Sequence, residues 1–142
     1  MTFTNPPRQE IEALLARARS IAVVGLSDNP FRTSHGVSAA MQRYGYRIIP
    51  VNPAVDSALG ERSFDSLATA VRELGPGHAP DIVNVFRRSE HISGIVDECI
   101  ALGLQALWLQ EGVIDDEAAN RAREAGTFVV MNRCIMKDRA KI

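Results

Sequence analysis

Short, mostly apolar runs alternate along the chain with longer stretches in which apolar residues recur every three or four positions. Ile21-Ala22-Val23-Val24 and the segments 46–49, 82–86, 104–109 and 127–131 are of the first kind. Apolar at consecutive positions rather than at every second one, they predict strands buried on both faces of a parallel sheet. Ile11, Leu14, Leu15 and Ala18 begin the second kind, followed by Val37, Ala40, Met41 and Tyr44, and then by Leu67, Ala70, Val71 and Leu74. Ile92, Ile95, Val96, Cys99 and Ile100 give a fourth amphipathic helix, and Ala118, Ala119, Ala122 and Ala125 a fifth. Pro6-Pro7, Thr33 or Ser34, Ser66, Ser89 and Asp115 stand where helices start; Gly45, Gly75-Pro76-Gly77, Gly103 and Gly126 stand where they stop. Pro50 is expected to end the second strand, residues 62–64 to add a very short edge strand, and the tail 135–142 to form one irregular helical turn at the edge.

Strands separated by helical patterns of about 10–15 residues make βαβ units and a parallel sheet covered on both faces. The pattern predicts a three-layer α/β domain, a doubly wound (Rossmann-like) parallel sheet of about five strands. With 142 residues and neither a linker nor an internal repeat, one such domain fills the chain, residues 1–142.

Charge narrows the class of partner. Lys and Arg number 16 against 17 Asp and Glu, a net charge of -1, which argues against a nucleic-acid or anionic-membrane binder while leaving room for a local basic pocket. No apolar run approaches the roughly 18 residues of a membrane span, and the start lacks the basic and apolar regions of a signal peptide. Cys99 and Cys134 are too few for a disulfide framework and suit a reducing cytoplasm, with Cys99 expected in the core. His35, His78 and His91 are scattered, with no partner at metal-ligand spacing.

In a doubly wound sheet, ligands bind beyond the carboxyl ends of the strands, where strand order reverses. Every predicted full strand delivers polar or turn-forming residues to that rim. The first exits into residues 25–36, the second into Asn52-Pro53, the third into Phe86-Arg87-Arg88, the fourth into Gln110-Glu111-Gly112 and the last into Asn132-Arg133-Cys134. Any one strand needs a turn; five such segments converging on one edge favour a binding site.

The first exit says most. Gly25 permits a tight turn or a close backbone approach, and a helix beginning near Thr33 points free amides back at the loop of Leu26, Ser27, Asn29 and Pro30. A phosphate placed there gains backbone hydrogen bonds, the helix dipole, hydroxyls from Ser27, Thr33 or Ser34, and the fork of Arg32. The competing reading is an ordinary capped helix with Arg32 and His35 facing solvent. Of Arg87 and Arg88, one can reach a second phosphate while the other pairs with Glu90, or both are surface charges. Phe86 packs either a ligand ring or the core. Asn52 offers a donor and an acceptor to a base or ribose, and Pro53 a flat surface. Gln110 and Gly112 are further site candidates, whereas Trp108 belongs to a core strand.

The loop is neither G-x-G-x-x-G nor a Walker sequence, and Asn52 stands where a nicotinamide site wants an acid, so an NAD- or flavin-binding reductase ranks low. No G-x-S-x-G elbow makes Ser27 a nucleophile. Cys134 beside Arg133, and Glu111, are the groups an enzyme would have to use. The inventory suits holding an anionic ligand better than transforming it.

Ile21-Ala22-Val23-Val24-Gly25-Leu26-Ser27 with Asn29-Pro30 and Arg32, Gly45-Tyr46 and Pro50-Val51-Asn52-Pro53, Val85-Phe86-Arg87, Trp108-Leu109-Gln110 with Gly112-Val113, and Arg133-Cys134 follow one another in an order that resembles the small stand-alone CoA-binding proteins. Their fold is similar to the CoA-binding domain of the succinyl-CoA synthetase alpha subunit. The resemblance spans about residues 10–137. It implies coenzyme A as cofactor, its pyrophosphate in the 25–34 loop, the Asn52-Pro53 turn beside the adenosine half, and the Phe86-Arg87 and Gln110 to Gly112 exits lining the rest. Asn84 and Glu111 depart from the family's usual acid and apolar residue. Larger synthetases carry a histidine-bearing domain and ATP-grasp partners that this length does not include, so the expected role is non-catalytic binding of CoA or a short acyl-CoA, as a carrier, sensor or subunit with a protein partner. A small acyl-CoA transferase or thioesterase using Glu111 or Cys134 is the alternative. Monomer and homodimer are both open, the Ala118, Ala119 and Ala122 face serving either the sheet or a second subunit.

Overall fold

The computed structural model describes residues 1–142. Helix α1 (Arg8–Arg17) leads into strand β1 (Ser20–Val24), α2 (Thr33–Arg43) and β2 (Arg47–Val51). A two-residue hairpin of β3 (Ser57–Ala58) and β4 (Glu61–Arg62) precedes α3 (Leu67–Leu74) and β5 (Ile82–Val85). A 3-10 turn (Ser89–His91) opens α4 (Ile92–Leu102); then come β6 (Ala106–Leu109), α5 (Asp116–Glu124), β7 (Phe128–Met131) and α6 (Ile135–Arg139).

The five long strands form one sheet in the order β2-β1-β5-β6-β7, all parallel. This is a Rossmann-like α/β fold. Alternation along each strand divides the core in two. Ile21, Val23, Ile82, Trp108 and Val130 point to the layer of α1, α2 and α6, whereas Ala22, Val24, Val83, Leu107 and Val129 point to that of α3, α4 and α5. Both faces being covered, every residue of β5 and β6 is buried, which is why β6 is wholly apolar and β5 is apolar but for Asn84, whose side-chain amide donates to Trp108 O.

Local signals set most boundaries. The Ser66 hydroxyl accepts the Thr69 amide and the Asp115 carboxylate that of Ala118, capping α3 and α5, and Gly103 ends α4 in the left-handed region at φ 66°. Three expectations need correction. Pro50 does not end β2 but lies within it. Its carbonyl accepts from Phe64 N–H on the outer side of this edge strand, so the missing amide also faces outward, where it costs no ladder bond to β1. Neither Thr33 nor Ser34 caps α2; the N-cap position is Arg32, without a side-chain cap. The tail is no edge decoration, since α6 packs on α1 and α2 with Ile135 fully buried. No helix is long and apolar enough to cross a membrane.

Candidate functional site

The sheet order puts the reversal between β1 and β5: the chain steps outward from β1 to β2, then crosses to continue from β5 on the other side. Three strand exits are knitted together there. Gly25 N–H donates to Val51 O at 2.8 Å, and Phe86 N–H to Val24 O at 2.9 Å. Gly25 sits at φ +89°, and a Cβ there would lie 2.6 Å from the Phe86 carbonyl oxygen and 3.0 Å from Arg87 Cδ. The close approach it permits is thus made by the neighbouring β5 exit.

The loop that follows holds its shape through side-chain to backbone bonds. Ser27 Oγ accepts from Asn29 N–H at 3.0 Å, and Asn29 Oδ1 from Phe31 N–H at 3.0 Å. Ser34 Oγ, free of capping, accepts from Ser27 N–H at 3.0 Å and ties the loop back onto α2. Asn52 Nδ2 donates to Leu26 O at 3.0 Å, joining the β2 exit to the same loop. With no side chain capping α2, the Thr33 and Ser34 amides have no acceptor within the chain.

A cleft of about 630 Å³ opens over this loop, lined by Gly25, Ser27, Phe31, Arg32, Thr33, Ser34, Asn52 and Phe86. Seven of these were expected from sequence; Phe31 was not singled out. It is 97% exposed, an aromatic ring held in water by a polar loop. Its flanking by Pro30 and Arg32 was the available signal. Arg32 is exposed and makes no ion pair with any acid of the chain.

Strand alternation sends the next residue of two exits to the other face. Pro53 and Arg87 line a separate hollow of about 330 Å³ beside the N-terminus of α3 and the first turns of α4. Arg87 is half-buried and unpaired, while Arg88 lies 3.9 Å from Glu90.

The remaining candidates are not brought to either hollow. Leu26 is fully buried beneath the loop, and Asn29 and Pro30 are exposed at its tip, where Asn29 shapes the turn. His35 is half-buried in the first turn of α2. Gln110 is 4% exposed, its Oε1 accepting from Ile135 N–H at 3.0 Å and Asn84 Nδ2 at 3.3 Å. Gly112 N–H donates to Asn132 Oδ1 at 2.8 Å. Of the enzyme alternatives, Cys134 is buried and Glu111 lies 3.2 Å from Lys137 Nζ at the surface. Cys99 is buried in the core, where desolvation, aided by the Glu98 charge, pushes its thiol up to about 12.

An open, all-parallel sheet with a donor-rich cleft over its switch point defines a nucleotide-binding α/β protein. The chain belongs to the CoA-binding domain family, whose model matches residues 19–140. It is 48% identical over 132 residues to the uncharacterized protein YneT of Bacillus subtilis (strain 168), covering 92% of this chain and 93% of that one. Among solved structures it resembles cell-free ID.343 from Thermus thermophilus, with TM-score 0.85 and 33% identity over 96% of this chain and 98% of that one. A hypothetical protein from Pyrococcus horikoshii OT3 superimposes with TM-score 0.85 at 29% identity, covering 99% and 98% of the two chains.

Proposed function

We propose that the protein binds coenzyme A, free or carrying a short acyl group, and does not transform it. The pyrophosphate rests in the first cleft against the Thr33 and Ser34 amides, with Arg32 reaching its oxygens and Ser27 at the wall. The Asn52-Pro53 turn lies beside the adenosine half. The observation that carries this reading is the meeting, at the switch point, of two unbonded helix-start amides with an unpaired guanidinium.

The residues fit such a ligand. No carboxylate lines the cleft, so nothing there repels a dianionic pyrophosphate. Its volume, about 630 Å³, falls in the range of about 300–1,000 Å³ usual for small-molecule sites. The exposed Phe31 ring offers a flat apolar face to the pantetheine arm. Neither Glu111 nor Cys134 lines either hollow, which supports binding over acyl transfer or thioester hydrolysis. The two free cysteines agree with a reducing cytoplasm as the working compartment.

Titration calorimetry with CoA tests the assignment. Arg32→Ala removes one charge-assisted contact of about 1.5–3 kcal/mol and should weaken binding about 10- to 150-fold. Its melting temperature should not move, since Arg32 supports nothing else. Equal affinities for the two proteins remove Arg32 from the site, and a wild-type protein that ignores CoA ends the reading. Incubation with acetyl-CoA should release no CoA above background.

A further inference from the structure

We infer that residues 1–7 form a detachable strap over the outer edge of β7, and that the partner this edge fits is the same edge of a second copy of the chain. The two edges of the sheet are closed in different ways. Along β2 the outward groups meet backbone: Phe64 N–H donates to Pro50 O at 3.0 Å, and Asn52 N–H to Phe64 O at 2.8 Å. Along β7 they do not. Phe128 N–H donates inward to Gln105 O at 2.9 Å, so Val129 and Met131 turn their backbone groups outward. Met131 is answered by a side chain: Asn5 Oδ1 accepts from its N–H at 2.8 Å, and Asn5 Nδ2 donates to its carbonyl at 2.9 Å. No group of the chain answers Val129, which is 1% exposed and borders a hollow of about 380 Å³ between the strand and the segment Thr4 to Pro7.

The strap lies over this edge without pairing to it as a strand. Pro6 and Pro7 carry no N–H, so they offer no donor to the Val129 carbonyl. Its attachments are few. The Phe3 ring is buried in the layer of α3, α4 and α5, with the Arg123 guanidinium 4.0 Å above its centroid, and Phe3 N–H donates to Asp116 Oδ1 at 2.8 Å. Arg123 and Asn120 donate to the Thr4 and Met1 carbonyls. A strand from a second copy would answer Val129 and Met131 together, which the strap does not do, and unanswered backbone groups at a strand edge favour such pairing. Around a two-fold axis at Val129, that residue and its counterpart exchange N–H to O bonds. Because Phe64 keeps the β2 edge covered, assembly stops at two five-stranded sheets joined edge to edge. Strap and second copy therefore compete for one edge. β7 stands two strands away from β5, the nearest strand whose exit lines the cleft, so this competition is separate from ligand binding.

Sedimentation equilibrium on the wild type, on Asn5→Ala and on the double variant Phe3→Ala/Asn5→Ala tests this. The wild type should run as a monomer of 15.5 kDa. Asn5→Ala frees both Met131 groups and should lower the dimer dissociation constant about 5- to 150-fold, the yield of two hydrogen bonds. The double variant should dimerise at lower concentration still. Adding Val129→Pro takes away an outward amide, as Pro50 does in β2, and should return the double variant to monomer. Should that triple variant fail to fold, hydrogen exchange in Asn5→Ala decides: protection of the Val129 amide must rise with protein concentration, and exchange that ignores concentration overturns the inference. A folded double variant that stays monomeric overturns it too, as does a dimer that survives Val129→Pro, growth beyond two copies, or a wild type already dimeric with its strap in place. CoA affinity should be the same in every variant, and a wild type that ignores CoA leaves this inference untouched.

Discussion

The carboxyl rim of the sheet has two halves that look alike in sequence and differ in what their polar groups do. At the exits of β1, β2 and β5, the Thr33 and Ser34 amides, Arg32 and Arg87 lack partners within the chain. At the exits of β6 and β7, the polar groups satisfy one another. Gln110 holds the start of α6 and the Asn84 side chain, Asn132 takes the Gly112 amide, Arg133 makes a two-pronged pair with Asp138 at 2.6 and 2.8 Å, and Trp108 Nε1 donates to the Arg133 carbonyl at 2.8 Å. Polar residues at a strand end are therefore no measure of a binding site. What distinguishes the site is donors left over once the fold has taken its share.

The strongest way to break the open half is Gly25→Val. A β-branched residue at φ +89° carries strain of about 1–3 kcal/mol. Its Cβ meets the Phe86 carbonyl at 2.6 Å, and relieving such an overlap costs about 1–3 kcal/mol more. A fall in melting temperature of roughly 6–18 °C is expected. CoA binding should be lost as well, because the β5 exit must move and carries Phe86 and Arg87 with it. A variant of wild-type stability would mean that the β1 and β5 exits are not locked together at this point.

Gln110→Ala breaks the closed half instead, with a smaller effect of the opposite kind. It strands the buried Ile135 amide and removes one of the two acceptors of Asn84 Nδ2, which keeps Trp108 O, at about 1–3 kcal/mol. Thermal melting should drop by about 3–10 °C while CoA affinity stays within experimental error. A variant that melts normally and binds poorly would return Gln110 to the ligand and undo the contrast between the halves.

Strand positions, both helical layers and the rim that carries the cleft were legible because burial on two faces writes itself as consecutive apolar residues, and because strands must leave the core through turns. Gly25, Ser27, Arg32, Thr33, Ser34, Asn52 and Phe86 were readable as a group, since each follows a strand or opens the helix behind one. Which polar groups remain free was not legible. Gln110 and Arg133 have the composition of site residues, and only the arrival of α6, more than twenty residues after β6 begins, consumes them. Ser34 fits every rule for a cap, yet the Ser27 amide reaches its hydroxyl across the loop and leaves the helix start bare. The division of Phe86 from Arg87, and of Asn52 from Pro53, follows from strand alternation and could have been drawn from sequence alone.

Glu111→Gln should have the smallest effect. Glu111 is the one group besides Cys134 offered for catalysis, so its behaviour sharpens the contrast. Its carboxylate lies 3.2 Å from Lys137 Nζ, and both side chains are more than half exposed. Exposed pairs of this kind contribute about 0–1 kcal/mol, with the ordering of two long side chains offsetting a screened attraction. The charge on Glu111 is thus held at the surface of the closed half, and its carboxylate lines neither hollow. Melting temperature and CoA affinity should both match the wild type. The acetyl-CoA hydrolysis assay should give the same background with either protein. A wild-type rate well above background that Glu111→Gln removes would place chemistry on the half of the rim whose polar groups the fold has already engaged, and the separation of binding exits from structural exits would have to be abandoned.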